Sequence, residues 1–140
     1  MPIHISGTGS FIPKNKVDNN SFSDKLFFDK DGNEYPNSND EIIEKFQTIT
    51  GIKERRYANK EHKTSDLATF AARNAIKDAG IDKETIDYII VAHNFGDIEY
   101  GTNQYIALPS VATMVKHKLN ILNENCVAYD IIFGCPGWIE

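Results

Sequence analysis

Cys135 is the residue whose position most invites chemistry. It follows an apolar run over residues 126–133 and Gly134, and it precedes Pro136-Gly137-Trp138. The pattern reads as a buried strand giving way to a turn, with Pro136 suited to the first position of a helix. A thiol at a helix start faces the positive end of the helix dipole, which favours the thiolate, its reactive form. The same geometry turns backbone N–H groups toward a developing oxyanion. The alternative for a lone cysteine is a small buried hydrophobe. Cys126, which opens the apolar run, reads as such a core residue. The two cysteines lack metal-ligand spacing, so neither a disulfide framework nor a zinc site is expected.

A Cys–His hydrolase would need a histidine beside the thiol. His4, His62, His93 and His117 all precede Cys135, and their spacing recommends none of them. His93 ends the apolar run over residues 88–92, where a structurally satisfied histidine is the better reading. Two further motifs fail on inspection. Gly7-Thr8-Gly9-Ser10 lacks the third glycine and the helix of a dinucleotide fingerprint, because Ile12 and Pro13 follow. Asp29, Asp31 and Asn33 have calcium-loop spacing, but Glu34 stands where the loop needs glycine and Asp40 where it needs a bidentate glutamate. A hairpin turning at Asp31-Gly32 accounts for that segment.

The elements that must position Cys135 follow from periodicity and caps. Ile3-His4-Ile5-Ser6 alternates as a strand, and residues 20–26 form a short helical candidate with Phe22 and Leu26 on one side. A helix is expected from Asp40, with Ile42, Ile43 and Phe46 on one face, ending before Thr50-Gly51; residues 52–57 then read as extended. A second helix is capped by Thr64 or Ser65, lined by Leu67, Phe70, Ala71, Ala75 and Ile76, and closed by Gly80. Tyr88-Ile89-Ile90-Val91-Ala92 reads as a strand of a sheet covered on both faces. After a loop over residues 94–108, Pro109 begins a helix with Val111, Met114, Val115 and Leu119 on its stripe. Alternation of β and α elements predicts an α/β fold with a largely parallel sheet.

Composition excludes several classes. The chain has 140 residues, 41% hydrophobic and 25% charged, close to the average for globular domains. Its net charge of −5 leaves no basic footprint for nucleic acid. No apolar run approaches the roughly 18 residues that span a bilayer, and residues 1–11 lack the basic flank of a signal peptide. A cytoplasmic protein without membrane contact is expected.

Several segments, taken in order, resemble one family. They are Gly7-Thr8-Gly9-Ser10 with Pro13, Thr50-Gly51-Ile52-Lys53-Glu54-Arg55, Thr64-Ser65-Asp66-Leu67-Ala68 and Ala79-Gly80-Ile81. Ile86-Asp87-Tyr88-Ile89-Ile90-Val91-Ala92, Pro109-Ser110 and Tyr129-Asp130 through Cys135-Pro136-Gly137-Trp138 complete the set. The chain resembles, along nearly its whole length, the N-terminal part of the β-ketoacyl-(acyl carrier protein) synthase III family. The resemblance implies a thiolase-like α/β fold, with residues 1–140 forming an N-terminal, nucleophile-bearing half-domain of mixed, mostly parallel sheet and covering helices. The C-terminal half of such a fold is absent from this chain.

By the same resemblance, Cys135 carries an acyl group in a decarboxylative Claisen condensation with malonyl-acyl carrier protein, without a cofactor or metal. The family's catalytic His and Asn and its second oxyanion donor come from beyond residue 140. Acyl carrier protein and an acyl thioester are the implied partners, in fatty acid or specialised lipid and polyketide synthesis. Members primed by coenzyme A often carry a Trp and an Arg where this chain has Lys45 and Ile49, so acetyl-CoA priming is not expected. Ile131, Ile132 and Phe133 stand where the family has small residues, which places Phe133 at the substrate and suggests a specialised branch making aryl or alkyl lipid products. Leu108 matches a position that reaches across a homodimer interface toward the partner's acyl pocket. Lys53-Glu54-Arg55-Arg56 reads as a solvated charged strand, with contact to a carrier protein as the lesser reading. The competing function is a non-catalytic half-domain serving as a dimerisation or docking partner.

Overall fold

The computed structural model describes residues 2–133 and 135–139, without the side chains of Cys135 and Trp138. The chain divides into two compact units, Pro13–Ala58 and Met1–Ile12 with Asn59–Glu140.

In the smaller unit, β1 (Asn15–Asp18) pairs antiparallel with β2 (Glu54–Tyr57). Asn15-Lys16-Val17-Asp18 has no apolar alternation, so only pairing defines this strand. The helix expected over residues 20–26 is a single 3₁₀ turn, Asn19–Phe22, capped by the Asp18 side chain. The hairpin is present as an antiparallel bridge between Phe28 and Glu34, with Gly32 at φ 83°. α1 (Asn39–Thr50) starts at a Ser38 cap and ends on Gly51. It brings Phe46 against Phe22 and Phe27, with ring centroids 6.1 and 5.6 Å apart. Arg55 is not simply solvated: its guanidinium donates to Asn19 Oδ1 at 2.8 Å and lies over the Phe22 ring.

In the larger unit, α2 (Thr64–Ala79) begins one residue earlier than its serine and threonine suggest. Lys63 is the cap, and its N–H donates to Asp66 Oδ2 at 2.8 Å, half of a capping box. Gly80 closes the helix in the left-handed conformation. β3 (Tyr88–Ala92) pairs in parallel with β6 (Val127–Ile131). Between them lie β4 (Asp97–Ile98) and β5 (Tyr105–Ile106), an antiparallel pair inside the expected loop, and α3 (Val111–Lys118). α3 is capped by Ser110, leaving Pro109 just outside the helix. The sheet pairing is thus mixed, with the parallel pair leading to Cys135.

The core gathers Val111, Val115, Leu119, Ile121 and Cys126, with Ala68, Ala72, Ile76, Ile86, Ile89 and Val91 packed on it. Cys126 is buried there as expected. One face of the β3–β6 pair meets α3. The other is not covered among the described residues: Tyr88, Ile90, Val127 and Tyr129 are 43–64% exposed. α2 and α3 pack on the Ile89 and Val91 side of the pair.

Residues 2–12 contain no strand, so the expected strand at Ile3-His4-Ile5-Ser6 is not formed. Ile3 and Ile5 are exposed and find no ladder partner. Gly7-Thr8-Gly9-Ser10 instead lies against α2. Thr8 N–H donates to Asp78 at 2.9 Å, and Asn74 donates to the Ser10 carbonyl at 2.9 Å. A Cβ on Gly9 would sit 2.2 Å from Ala75 N, and one on Gly7 2.5 Å from Ala79 N. These glycines allow close backbone approach to a helix side and form no phosphate cradle.

Candidate active site

Parallel pairing in register sets Ala92 opposite Ile131, so β3 and β6 end on the same side of the sheet. In open parallel sheets, that carboxyl end is where reacting groups collect. β6 leaves through Ile132 and Phe133, both exposed, toward the turn that Cys135 opens. Cys135–Trp138 form one 3₁₀ turn, followed by a 2.9 Å bond from Ile139 N–H to the Pro136 carbonyl. A single turn sums few peptide dipoles, so the dipole contribution expected of an α-helix start is small here. Gly137 is buried; a Cβ there would lie 3.5 Å from Ile131 Cγ2 and 3.7 Å from Ala92 Cβ. The turn thus rests on the ends of both strands. The Cys135 side chain, the expected nucleophile, lies outside the described residues, as does Gly134.

One residue five places before Cys135 organises the surroundings. Asp130 pairs with Val91 and shares the helix-facing side of the sheet. Its Oδ2 accepts from Val111 N–H at 2.7 Å and its Oδ1 from Ala112 N–H at 2.7 Å, which satisfies the start of α3. Oδ2 also lies 2.8 Å from His93 Nε2. The Gly96 N–H donates to His93 Nδ1 at 2.8 Å. A ring nitrogen that accepts holds no proton, so Nε2 is the nitrogen that donates to Asp130. Burial pushes the Asp130 carboxyl upward, but the bonds from His93, Ala112 and Val111 outweigh it and hold it below the ordinary carboxylate range.

Both ring nitrogens of His93 are therefore occupied, in side chains only 7% exposed for His93 and 8% for Asp130. His93 is a satisfied structural histidine and offers no free nitrogen to deprotonate a thiol, which removes it as the base of a Cys–His hydrolase. Asp130 itself escaped the sequence reading, although a lone carboxylate inside Tyr129-Asp130-Ile131 signals a buried charge that must find donors.

Leu108 and Phe133 are 84% and 60% exposed, so neither side chain is committed to the core. Leu108 lies three residues before Val111, and Phe133 three residues after Asp130, so the bond between Val111 and Asp130 ties their two segments together. Lys45 and Ile49 are both exposed on α1. A mostly apolar groove of about 570 Å³ runs along β3, lined by Ala68 and Ala72 of α2, Ile89, Ala92, Ile131 and Gly137 among others. Among the described residues, no group of His, Cys, Asp and Glu is placed to hold a metal, and no helix is long and apolar enough to cross a membrane.

No family model matches the chain. Among curated proteins it is 40% identical over 135 residues to a β-ketoacyl-[acyl-carrier-protein] synthase III of Neisseria meningitidis serogroup C. It is 37% identical over 139 residues to the protein of that name from Staphylococcus haemolyticus. These alignments take in 96% and 99% of this chain but 35% and 37% of the relatives, so the chain spans about a third of their length. The crystal structure of 3-oxoacyl-[acyl-carrier-protein] synthase III from Aquifex aeolicus superposes with a TM-score of 0.69 at 30% identity, covering 96% of this chain and 36% of that one. Xanthomonas campestris OleA superposes with a TM-score of 0.70 at 21% identity, a likeness of fold alone.

Proposed function

From the similarity of this chain to β-ketoacyl-[acyl-carrier-protein] synthase III, with which it shares part of a thiolase-like α/β fold, we propose that it is the nucleophile-bearing part of a condensing acyltransferase. The observation that carries this reading is the agreement over 96% of the chain, which leads into a tight turn opened by Cys135 at the end of a parallel strand.

In this reading the Cys135 thiolate attacks the carbonyl carbon of an acyl thioester. The new C–S bond forms as the donor thiolate leaves, and the acyl group is held covalently. A malonyl group on acyl carrier protein then loses CO₂. The resulting carbanion attacks the acyl carbon, the bond to Cys135 breaks, and the thiolate is restored as the β-ketoacyl thioester departs. The His and Asn of that second half come from outside these residues. Phe133 borders the acyl chain where its segment leaves β6, and Leu108 reaches a partner copy's pocket in a homodimer. Exposure of both side chains supports these roles. Lys45 and Ile49 offer no stacking platform and no guanidinium for a nucleotide, which favours a carrier-linked donor over acetyl-CoA. The pathway is fatty acid or a specialised lipid, in the cytoplasm.

The test is intact-mass spectrometry of the full protein incubated with acyl thioesters. One acyl adduct per chain is expected, lost in Cys135→Ala; an adduct that persists in Cys135→Ala would overturn the assignment. Saturation by acetyl-CoA ahead of a carrier-linked acyl group would overturn the donor preference. Complete absence of acylation and condensation would favour the non-catalytic docking partner.

A further inference from the structure

Asp130 holds both ends of one segment. At the front, His93 Nε2–H binds its Oδ2, while His93 Nδ1 accepts from Gly96 N–H. At the back, the N–H groups of Val111 and Ala112 bind the same carboxylate. Residues 94–110, which include the β4–β5 hairpin and Leu108, therefore leave and return to one carboxylate on the strand that leads to Cys135. The front anchor is tight as well as polar. Gly96 has φ 70°, and a Cβ there would meet the Ile106 carbonyl at 2.6 Å, so the peptide that donates to His93 also packs on β5. The stations are buried, and between them Gly96 and Asp97 are buried too, while Phe95, Tyr100, Tyr105 and Leu108 are 63–84% exposed. The joint thus carries an apolar surface that is held to β6 through His93 and Asp130 and to α2 through the two bonds between Ser65 and Asp97.

We propose that His93 and Asp130 are positioning residues that lock the segment bearing Leu108 to the strand that delivers Cys135, and thereby set which acyl chains are accepted. The proposal rests on the reading of Cys135 as the acyl carrier and of Leu108 as a border of the acyl pocket. His93 acts through Gly96, and Asp130 through the start of α3. Shifting Leu108 relative to Cys135 changes the room for a chain end while leaving the thiol in place.

The test uses the full protein with butanoyl and dodecanoyl carrier-protein thioesters, following acylation of Cys135 by intact mass and its alkylation by iodoacetamide. His93→Phe keeps the ring but removes both bonds. The ratio of long-chain to short-chain acylation rates should move by about tenfold. Alkylation should stay within about twofold of the parent. His93→Asn places an amide oxygen near the Nδ1 position to accept from Gly96, whereas the longer His93→Gln carries its amide to the Nε2 position, where its NH2 donates to Asp130 and Gly96 N–H is left without its acceptor, so the ratio should return in the first and not in the second. An unchanged ratio in His93→Phe would overturn the proposal, as would an equal fall of both acylations and of alkylation, the mark of a packing residue. Should His93→Phe not fold, equal ratios in the Asn and Gln variants would overturn it. A parent protein that takes no acyl group on Cys135 would remove the acyl-transfer reading and the specificity role with it. The joint itself would then stand on hydrogen exchange, supported by faster exchange of residues 94–110 in His93→Gln than in His93→Asn and refuted by equal rates.

Discussion

Ser65 gives both of its donors to one carboxylate: its backbone N–H lies 2.7 Å from Asp97 Oδ1 and its hydroxyl 2.6 Å from Oδ2. The hydroxyl oxygen in turn accepts from Lys118 Nζ at 2.6 Å, and Lys118 also reaches Asp66 at 2.6 Å. Ser65 has no exposed surface and Asp97 is 5% exposed. One small network therefore joins the start of α2, the β4 strand and the end of α3. Asp97→Ala leaves two buried donors on Ser65 without their acceptor and should cost about 2–4 kcal/mol. Thermal denaturation checks it, and a loss under half a kilocalorie would show the network to be dispensable.

Asp130→Asn replaces an acceptor-only group with one that presents an amide to the N–H groups of α3. One of the bonds to Val111 and Ala112 must be lost, for about 1–3 kcal/mol. Urea unfolding of the variant should show a lower midpoint with an unchanged slope, since the exposed area does not change.

The acid limb of stability follows from the same carboxylate and from Asp66. Burial raises the Asp66 carboxyl, but Lys118 and the Lys63 N–H outweigh it and hold it low, as the donors around Asp130 do there. A carboxyl depressed on folding contributes its full stability above its unfolded value, near 3.9. That stability is lost as pH falls through the lower folded value. The melting temperature should therefore drop steeply below about pH 4, and less steeply in Asp130→Asn. An identical acid limb in parent and variant would assign the effect to other carboxylates.

Gly9→Ala tests the seat of the N-terminal segment on α2. The added Cβ would overlap Ala75 N at 2.2 Å and the Ala71 carbonyl at 2.4 Å, both backbone atoms that cannot swing aside. The segment must lift, releasing the bonds at Thr8 and Ser10. The expected cost is about 1–3 kcal/mol, with faster exchange of amides in residues 7–10. Unchanged exchange would mean that the close approach is not maintained in solution.

Much of the fold was legible because it is local. Ile42 and Phe46 in α1 and Val111 and Val115 in α3 repeat at helical spacing, and Gly51 and Gly80 mark two of the ends. The starts at Asp40 and Pro109 shift to caps at Ser38 and Ser110, and α2 turns Ala68, Ala72 and Ile76 to the core while Phe70 packs on Phe11 and His62. The β-rich runs Tyr88–Ala92 and Val127–Ile131 were equally plain, as was the burial of Cys126. Ile3-His4-Ile5-Ser6 shows the limit of such reading, since alternation alone does not make a strand without a neighbour to complete its ladder.

The sequence by itself determined that Cys135 follows a β-strand, because that depends only on the residues next to it. Tertiary structure decided what surrounds that strand. His93 and Asp130 are 37 residues apart, and nothing in either neighbourhood names the other. They meet because β3 and β6 pair in parallel with Val91 opposite Asp130, a register set by which faces of two strands meet α3. The β1–β2 and β4–β5 ladders depend in the same way on partners distant in the chain. A hydrogen-bonded pair inside a dry sheet is a property of that register, and a one-residue slip would turn Asp130 to the opposite face, away from the start of α3.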